Sequence, residues 1–243
     1  VGSVTANLGL ILGISVVCIP SVVHKQQFRL KALLMAASAL LLFLLCRGGR
    51  LTVGPSLCLV AVFTVYLVSN LTDARTSMAE NRTEIGRGRS VSRRQLAGKL
   101  TAFVVGIAAI VMGSQMLICY GSKIAILLGV PAGIIGVTMV AIGTSLPELV
   151  TTLTAISRRE ASMSVGNIIG ANVIDLTMIL PVCSAVSGDR LTLSRQTIGL
   201  DMPVCLGMCA LAVLPPLIKG RFYRWQGVLM LAAYIVYVAA LVR

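Results

Sequence analysis

Charge is scarce in this 243-residue chain: Asp, Glu, Lys and Arg make up 12% of it, about half the ~25% of an ordinary soluble domain. Acid is scarcest, with eight Asp and Glu against 21 Lys and Arg. A single His and no C-x-x-C pair leave a typical zinc site without ligands. The seven cysteines, Cys18, Cys46, Cys58, Cys119, Cys183, Cys205 and Cys209, fall within apolar runs or at their ends and read as small apolar residues. No charged segment precedes an apolar core at the start, so no signal peptide is expected, and the chain reads as beginning inside a helix. These absences exclude a soluble globular domain, a disordered chain and a disulfide scaffold.

What is present is apolar residue, 57% of the total, in blocks long enough to cross a bilayer. The blocks run roughly over 1–23, 30–46, 51–70, 100–121, 130–156, 161–187, 199–218 and 224–242. They do not alternate polar with apolar, which argues against barrel strands. The expected fold is an all-α polytopic membrane protein with eight transmembrane helices. Connections after the first, third, fifth and seventh spans carry 15 of the 21 basic residues. The positive-inside rule places that side in the cytoplasm and both chain ends outside. The longest connection, 71–99, is predicted to be a basic cytoplasmic loop. It has no aromatic residue to stack on bases, so nucleic acid is not the expected partner.

An offset of 168 lays Gly170-Ala171-Asn172-Val173-Ile174-Asp175-Leu176 on Gly2-Ser3-Val4-Thr5-Ala6-Asn7-Leu8. It also lays spans six, seven and eight on spans one, two and three. The reading is a five-span repeat, complete over 100–243 and represented over 1–70 by its latter three helices. An odd number of spans inverts successive copies, the architecture of many secondary transporters. Leu100 to Ile169, the partner of Val1, is 69 residues, so the arithmetic predicts a further stretch of that size ahead of Val1.

Six of the eight acids fall in connections or near span ends. Glu148 and Asp175 fall near the middle of spans five and six, where an ionised acid costs at least a few kcal/mol. Glu148 closes Gly143-Thr144-Ser145-Leu146-Pro147-Glu148. Gly and Pro together should break the helix there and free carbonyls around Ala141 to Thr144, which a cation can use. Thr144, Glu148, Thr151 and Thr152 extend one polar face, and a hard cation wants several such oxygens. The bland alternative is a capping box with Ser145 as cap and Glu148 three residues on. Asn167, Ala171 and Asp175 line up at spacing four, as do Gly166 and Gly170, a pattern that admits a close neighbour. Ser3 and Asn7 occupy the equivalent face of span one.

The stretches Gly-Thr-Ser-Leu-Pro-Glu (143–148) and Gly-Asn-Ile-Ile-Gly-Ala-Asn-Val-Ile-Asp (166–175) resemble the second α-repeat of the cation/calcium antiporter superfamily. The likeness is to its sodium/calcium exchanger branch, most of all the bacterial inner-membrane type. It implies ten helices in two inverted five-helix halves, of which this chain holds eight. It implies alternating access around a central cation cluster, with span four as the sliding helix. By position, Glu148 would be the carboxylate shared by calcium and sodium. The Thr144 carbonyl would help hold calcium, and Ser145 with the Ala141 carbonyl would serve sodium. Asp175 and Asn7 would form the central polar pair, with Ser3 as a hydroxyl ligand. No cofactor is implied; calcium and monovalent cations are the transported substrates, and the bilayer is the surrounding partner.

The chain departs from the pattern at Ala171, where many members carry Ser, and at Val4 and Thr5. A first Gly-Thr-Ser-Leu-Pro-Glu is absent, and the arithmetic places it ahead of Val1. Coupling to potassium or protons, and a non-transporting fragment, are the alternatives this leaves. An intramembrane enzyme using Ser145 or Asp175 would need a base within reach. The only His, His24, falls near a helix end.

Overall fold

Apolar blocks in lipid must close their backbone hydrogen bonds internally, and this chain does so as helix almost throughout. The computed structural model describes residues 1–20, 25–85, 93–188 and 191–242. Helix α1 is the apolar rod Gly2–Cys18. It is followed by α2 (Lys25–Cys46), α3 (Val53–Ile85) and α4 (Arg93–Leu127). The fifth span is a broken one, α5 (132–144) and α6 (Leu146–Ser157), bent by 53° where they meet. Then come α7 (161–186), α8 (Thr197–Lys219) and α9 (Arg224–Val242). Among the described residues, six helices are long and apolar enough to cross a membrane alone. The bent pair makes a seventh span, and α1 is a shorter apolar helix. All eight predicted spans are therefore helical. His24, Arg87, Arg89, Asp189, Arg190 and Arg243 lie outside the described residues.

The molecule is inside out by the standards of a water-soluble protein. Phe103, Leu127, Leu128, Val186 and Ile235 are among many large apolar side chains left exposed, far more than water would tolerate. They form the lipid face. The interior is a layer in which α1 and α7 run antiparallel, shown by three contacts whose numbering rises on one helix as it falls on the other. These are Ser3 with Asp175, Asn7 with Asn172, and Ser15 with Ser164 at 2.8 Å. Leu8, Ile11, Leu12, Met35, Ile168, Ile169, Leu176 and Met230 fill this layer. Helix α9 closes its other side. A Cβ on Gly227 would stand 2.7 Å from the Gly13 carbonyl, so glycine is what lets α1 and α9 touch backbone to backbone.

The two groups of connections separate as expected. Lys31 and Asp73, after the first and third spans, form an ion pair at 3.1 Å. Phe28 and Phe222, after the first and seventh, meet edge to face with centroids 5.7 Å apart. On the opposite side, β1 (Arg50–Leu51) and β2 (Leu191–Thr192), after the second and sixth spans, pair as a short antiparallel ribbon. The expected loop over 71–99 is corrected in part. Helix α3 continues to Ile85 and α4 begins at Arg93. At ~1.5 Å per residue, helices of 33 and 35 residues reach about 50 Å, well beyond a ~30 Å hydrocarbon core. Their polar ends project into water.

Several spans contain π-turns, in which bonding slips from four residues to five. Two open at Asn7 and Asp175, the positions that the 168-residue offset equates. The turns Asp175–Ile179 and Thr197–Asp201 each precede a proline, Pro181 and Pro203. A proline has no N–H for the carbonyl four residues back, and in both cases that carbonyl lies inside the slipped turn. Pro215 deprives the Leu211 carbonyl of its donor in the same way. There, the buried Gln226 of α9 supplies the missing hydrogen bond, Nε2 to Leu211 O at 2.7 Å.

Candidate cation site

The break in the fifth span sets the geometry. Pro147 falls in the first turn of α6, where its missing N–H costs little, but it leaves Gly143 without the donor of a continuous helix. Ser145 takes up the kink at φ −93°, ψ 3°. Building a Cβ on Gly143 would drive it into Ile118 of α4, so this glycine is where the fourth span crosses the break. No side-chain cap forms at Ser145, which removes the capping-box reading. Its hydroxyl instead faces Ser3 across the helix interface, 3.3 Å between oxygens.

The expectation of free carbonyls at the break is corrected for Ala141 and Ile142 alone. The Ala141 carbonyl accepts the Ser145 N–H at 3.2 Å and the Thr144 hydroxyl at 3.1 Å, so both of its lone pairs are used. The Ile142 carbonyl also accepts the Ser145 N–H. The reason is local. Only Pro147 lacks a donor, and the π-turn over Gly136–Val140 lets the helix tighten again before Ser145. Thr144 itself is exposed, and its hydroxyl turns back to the Val140 and Ala141 carbonyls.

The structure brings Ser3, Ser145 and Asp175 together. Ser3 Oγ donates to Asp175 Oδ2 at 2.8 Å. With that proton committed, Ser145 is the donor in the contact between the two serines. One step along α1, the wholly buried Asn7 donates Nδ2 to Asn172 Oδ1 at 2.9 Å, while Asn7 Oδ1 is left with no partner. Glu148 faces the same centre from α6, and its Oε2 is buried without a hydrogen-bond partner. Glu148 and Asp175 share a cavity of about 360 Å³ with Asn167, Ala171, Gly166, Gly170, Ile174 and Tyr66. Among the described residues no Lys or Arg lines it. An unpaired carboxylate at membrane depth needs a positive partner, and the chemistry of the lining selects for a cation held by oxygen. Among the described residues no three His, Cys, Asp or Glu side chains converge, so hydroxyls and amides make up the remainder of the donor set.

Thr151 and Thr152 diverge. Thr151 is exposed and accepts Asn167 Nδ2 at 2.8 Å, whereas Thr152 is fully buried with its hydroxyl unpartnered. The glycine pair divides too. Gly170 meets Tyr66, while a Cβ on Gly166 would find nothing within 4 Å. Three polar residues escaped the sequence reading. Asn172 was open to the burial-cost argument that singled out Asp175, being an amide in the middle of the same span. Tyr66 carried no signal in an apolar run. Asp201 reads as an outer-end acid, yet only 5% of it is exposed, and Tyr237 donates to its Oδ1 at 2.9 Å.

A family profile described as "Sodium/calcium exchanger protein" matches residues 1–72 and 99–243, leaving out most of the basic segment. An uncharacterized membrane protein of Methanocaldococcus jannaschii is 30% identical over 243 residues, covering 99% of this chain and 74% of the relative. The sodium/calcium exchanger MaX1 of Methanosarcina acetivorans is 30% identical over 145 residues, 60% of this chain and 41% of that protein. Among solved structures, the sodium-calcium exchanger NCX_Mj soaked with 10 mM Na+ and 10 mM Sr2+ superposes with a TM-score of 0.75. The identity is 27%, over 98% of this chain and 73% of that one.

Proposed function

The chain belongs to the sodium/calcium exchanger family, a family of membrane cation antiporters rather than enzymes, and on that premise we propose that it exchanges calcium for sodium by alternating access around Glu148 and Asp175. The observation that carries this reading is a convergence at membrane depth. Three separate spans deliver Ser3, Ser145 and Asp175 to one hydrogen-bonded chain, and Glu148 enters the cavity beside it with an unpartnered oxygen. Asn7 extends the same centre. Of the two expected carbonyl ligands, Thr144 and Ala141, the Ala141 one joins the set only in a conformation that releases it from the Ser145 N–H and the Thr144 hydroxyl.

The physical logic is competition for negative charge. Empty, the centre holds carboxylates that lipid disfavours; one calcium or several sodium ions neutralise it. The two access states differ in affinity for the filled centre, so either ion can drive the switch in exchange for the other. Helix α4 is suited to be the moving part. Only 6% of its apolar window is buried in the protein, so sliding it breaks few packed contacts.

In this reading, 1–70 contributes the latter helices of one repeat and 100–243 the five of the other. The basic segment between them, 71–99, faces the cytoplasm, and the protein sits in the cell (inner) membrane. The test is calcium uptake into vesicles carrying the protein expressed from its full reading frame. A sodium gradient should drive uptake, potassium and proton gradients should not substitute, and Glu148→Gln should abolish it. Unchanged sodium-driven flux in Glu148→Gln would sink the site assignment. Uptake driven only by protons or potassium would replace sodium as the coupling ion.

A further inference from the structure

The turn from α8 to α9 reads Lys219-Gly220-Arg221-Phe222-Tyr223-Arg224-Trp225, three cations interleaved with three aromatics, and no Asp or Glu follows Asp201 in the chain. The turn is held in one shape. Gly220 ends α8 in the left-handed region at φ 71°, with its N–H on the Pro216 carbonyl at 2.8 Å. Phe222 is buried against Phe28 of α2. The Tyr223 carbonyl accepts the Gln226 N–H at 3.0 Å as α9 begins. On this frame two cations gather at a single ring. The Arg221 guanidinium carbon lies 4.7 Å from the Tyr223 centroid, and Lys219 Nζ lies 5.9 Å from it, both within cation–π range. Trp225 stacks beside the same ring, centroids 6.3 Å apart.

The bias of basic residues to one side accounts for cations here, but not for these contacts. Arg158 and Arg159, in the turn after the fifth span, lie over no ring among the described residues. Lys219, Arg221 and Arg224 are exposed and form no ion pair among the described residues. Arg224 opens α9, whose first turn holds no acid, so the partial positive charge of a helix start adds to three full ones. The helices that the 168-residue offset places ahead of Val1 leave this turn clear. That offset lays α8 and α9 on α2 and α3, which make no extended contact with α4, α5 or α6. An anionic group from outside the chain is what offsets such a concentration of charge. Its depth says which one. Exposed Trp225, with Val228 and Leu229 one turn further along α9, continues the lipid face, so the cations stand at the level of a bilayer's phosphates.

We infer that this turn is a binding site for the headgroup of an anionic phospholipid: Arg221 and Lys219 hold the phosphate beside Tyr223, Arg224 adds a third charge, and Trp225 lies along the upper acyl chain. A guanidinium matches phosphate oxygens in geometry as well as charge. Selection against zwitterionic lipid follows from the same residues. Phosphatidylcholine brings a quaternary ammonium with its phosphate, which three cations repel. The Tyr223 ring that would otherwise attract that ammonium already carries Arg221 and Lys219.

The test uses Trp225 as the reporter, in protein expressed from its full reading frame and placed in phosphatidylcholine vesicles. Brominated phosphatidylglycerol or brominated phosphatidylcholine is titrated in as the quencher, and the signal of Trp225→Phe is subtracted so that only residue 225 is read. The anionic quencher should reach half-quenching at a mole fraction about tenfold or more below the zwitterionic one. Arg221→Gln should cut that preference about fivefold, the ~1 kcal/mol that a basic residue draws from anionic lipid converted at ~1.4 kcal/mol per tenfold. Lys219→Gln/Arg221→Gln/Arg224→Gln should abolish it. Twelve of the fifteen basic residues on that side remain in the triple variant, so its orientation is kept; if it does not fold, Arg221→Gln decides alone. Arg158→Gln/Arg159→Gln, which removes as much charge from the same side as two of the three changes, should leave the preference within twofold of the parent. Equal quenching by the two lipids, or a preference that survives Arg221→Gln in full, would overturn the inference. So would an equal loss in Arg158→Gln/Arg159→Gln, which would mean a diffuse field, or relief of the quenching by inorganic phosphate, which would make the ligand a soluble anion.

Discussion

Replacing Pro147 with Ala tests the broken span most directly. In a continuous helix over 132–157, a proline at position 147 would cost about 3 kcal/mol, while in the first turn after a break it costs almost nothing. Pro147 therefore biases the span toward its bent form by about 3 kcal/mol, roughly a hundredfold in population. Alanine would return an N–H to the Gly143 carbonyl and withdraw that bias. Glu148 lies three residues beyond Ser145, about 4.5 Å along the axis at ~1.5 Å per residue. Straightening the 53° bend would move its Cα by about 4 Å, whereas a working site tolerates about 0.5 Å. The Ser145–Ser3 contact would be lost with it. The expected Pro147→Ala protein is at least as resistant to heat as the parent and exchanges calcium at least about a hundredfold more slowly. Thermal unfolding followed by the fluorescence of the single tryptophan, Trp225, checks the first, and vesicle uptake the second. Exchange within twofold of the parent would refute the argument that the bend positions Glu148.

Two further substitutions probe the packing. Gln226→Leu exchanges one unsatisfied buried oxygen, Gln226 Oε1, for another, the Leu211 carbonyl, so its stability should lie within about 1 kcal/mol of the parent. Adding Pro215→Ala supplies the helix's own donor and leaves neither oxygen orphaned; the double variant should exceed the parent by about 1–3 kcal/mol, read as a higher unfolding midpoint in detergent. Gly227→Val forces side-chain atoms against the Gly13 carbonyl and Val17 and should cost about 1–3 kcal/mol or more by overpacking; an unshifted midpoint would show that α1 and α9 separate freely.

Much of the fold was legible because lipid imposes one rule on every span. Apolar length and the scarcity of charge were enough to place eight helical segments, and the split of basic residues grouped the connections that Lys31–Asp73 and the β1–β2 ribbon bring together. Glu148 and Asp175 stood out for the same reason, since a carboxylate in mid-span has no solvent to offset its cost. The helix ends were less legible. Polar stretches such as 71–85 extend helices into water, where no apolar signal marks them.

The sequence by itself determined that Glu148 and Asp175 fall in mid-span, that the fifth span must break near Pro147, and which positions repeat at an offset of 168. These follow from local chemistry: a missing N–H, a charge, a periodicity. Tertiary structure alone decided which oxygens are free. It tied up the Ala141 carbonyl, joined Ser145 to Asp175 through Ser3, and left Glu148 Oε2 unpartnered. It also carried Tyr66 across from another span to Gly170 and buried Asp201 beneath Tyr237. Such pairings depend on how helices far apart in the chain cross, and a crossing is set by packing shape, which no single segment carries.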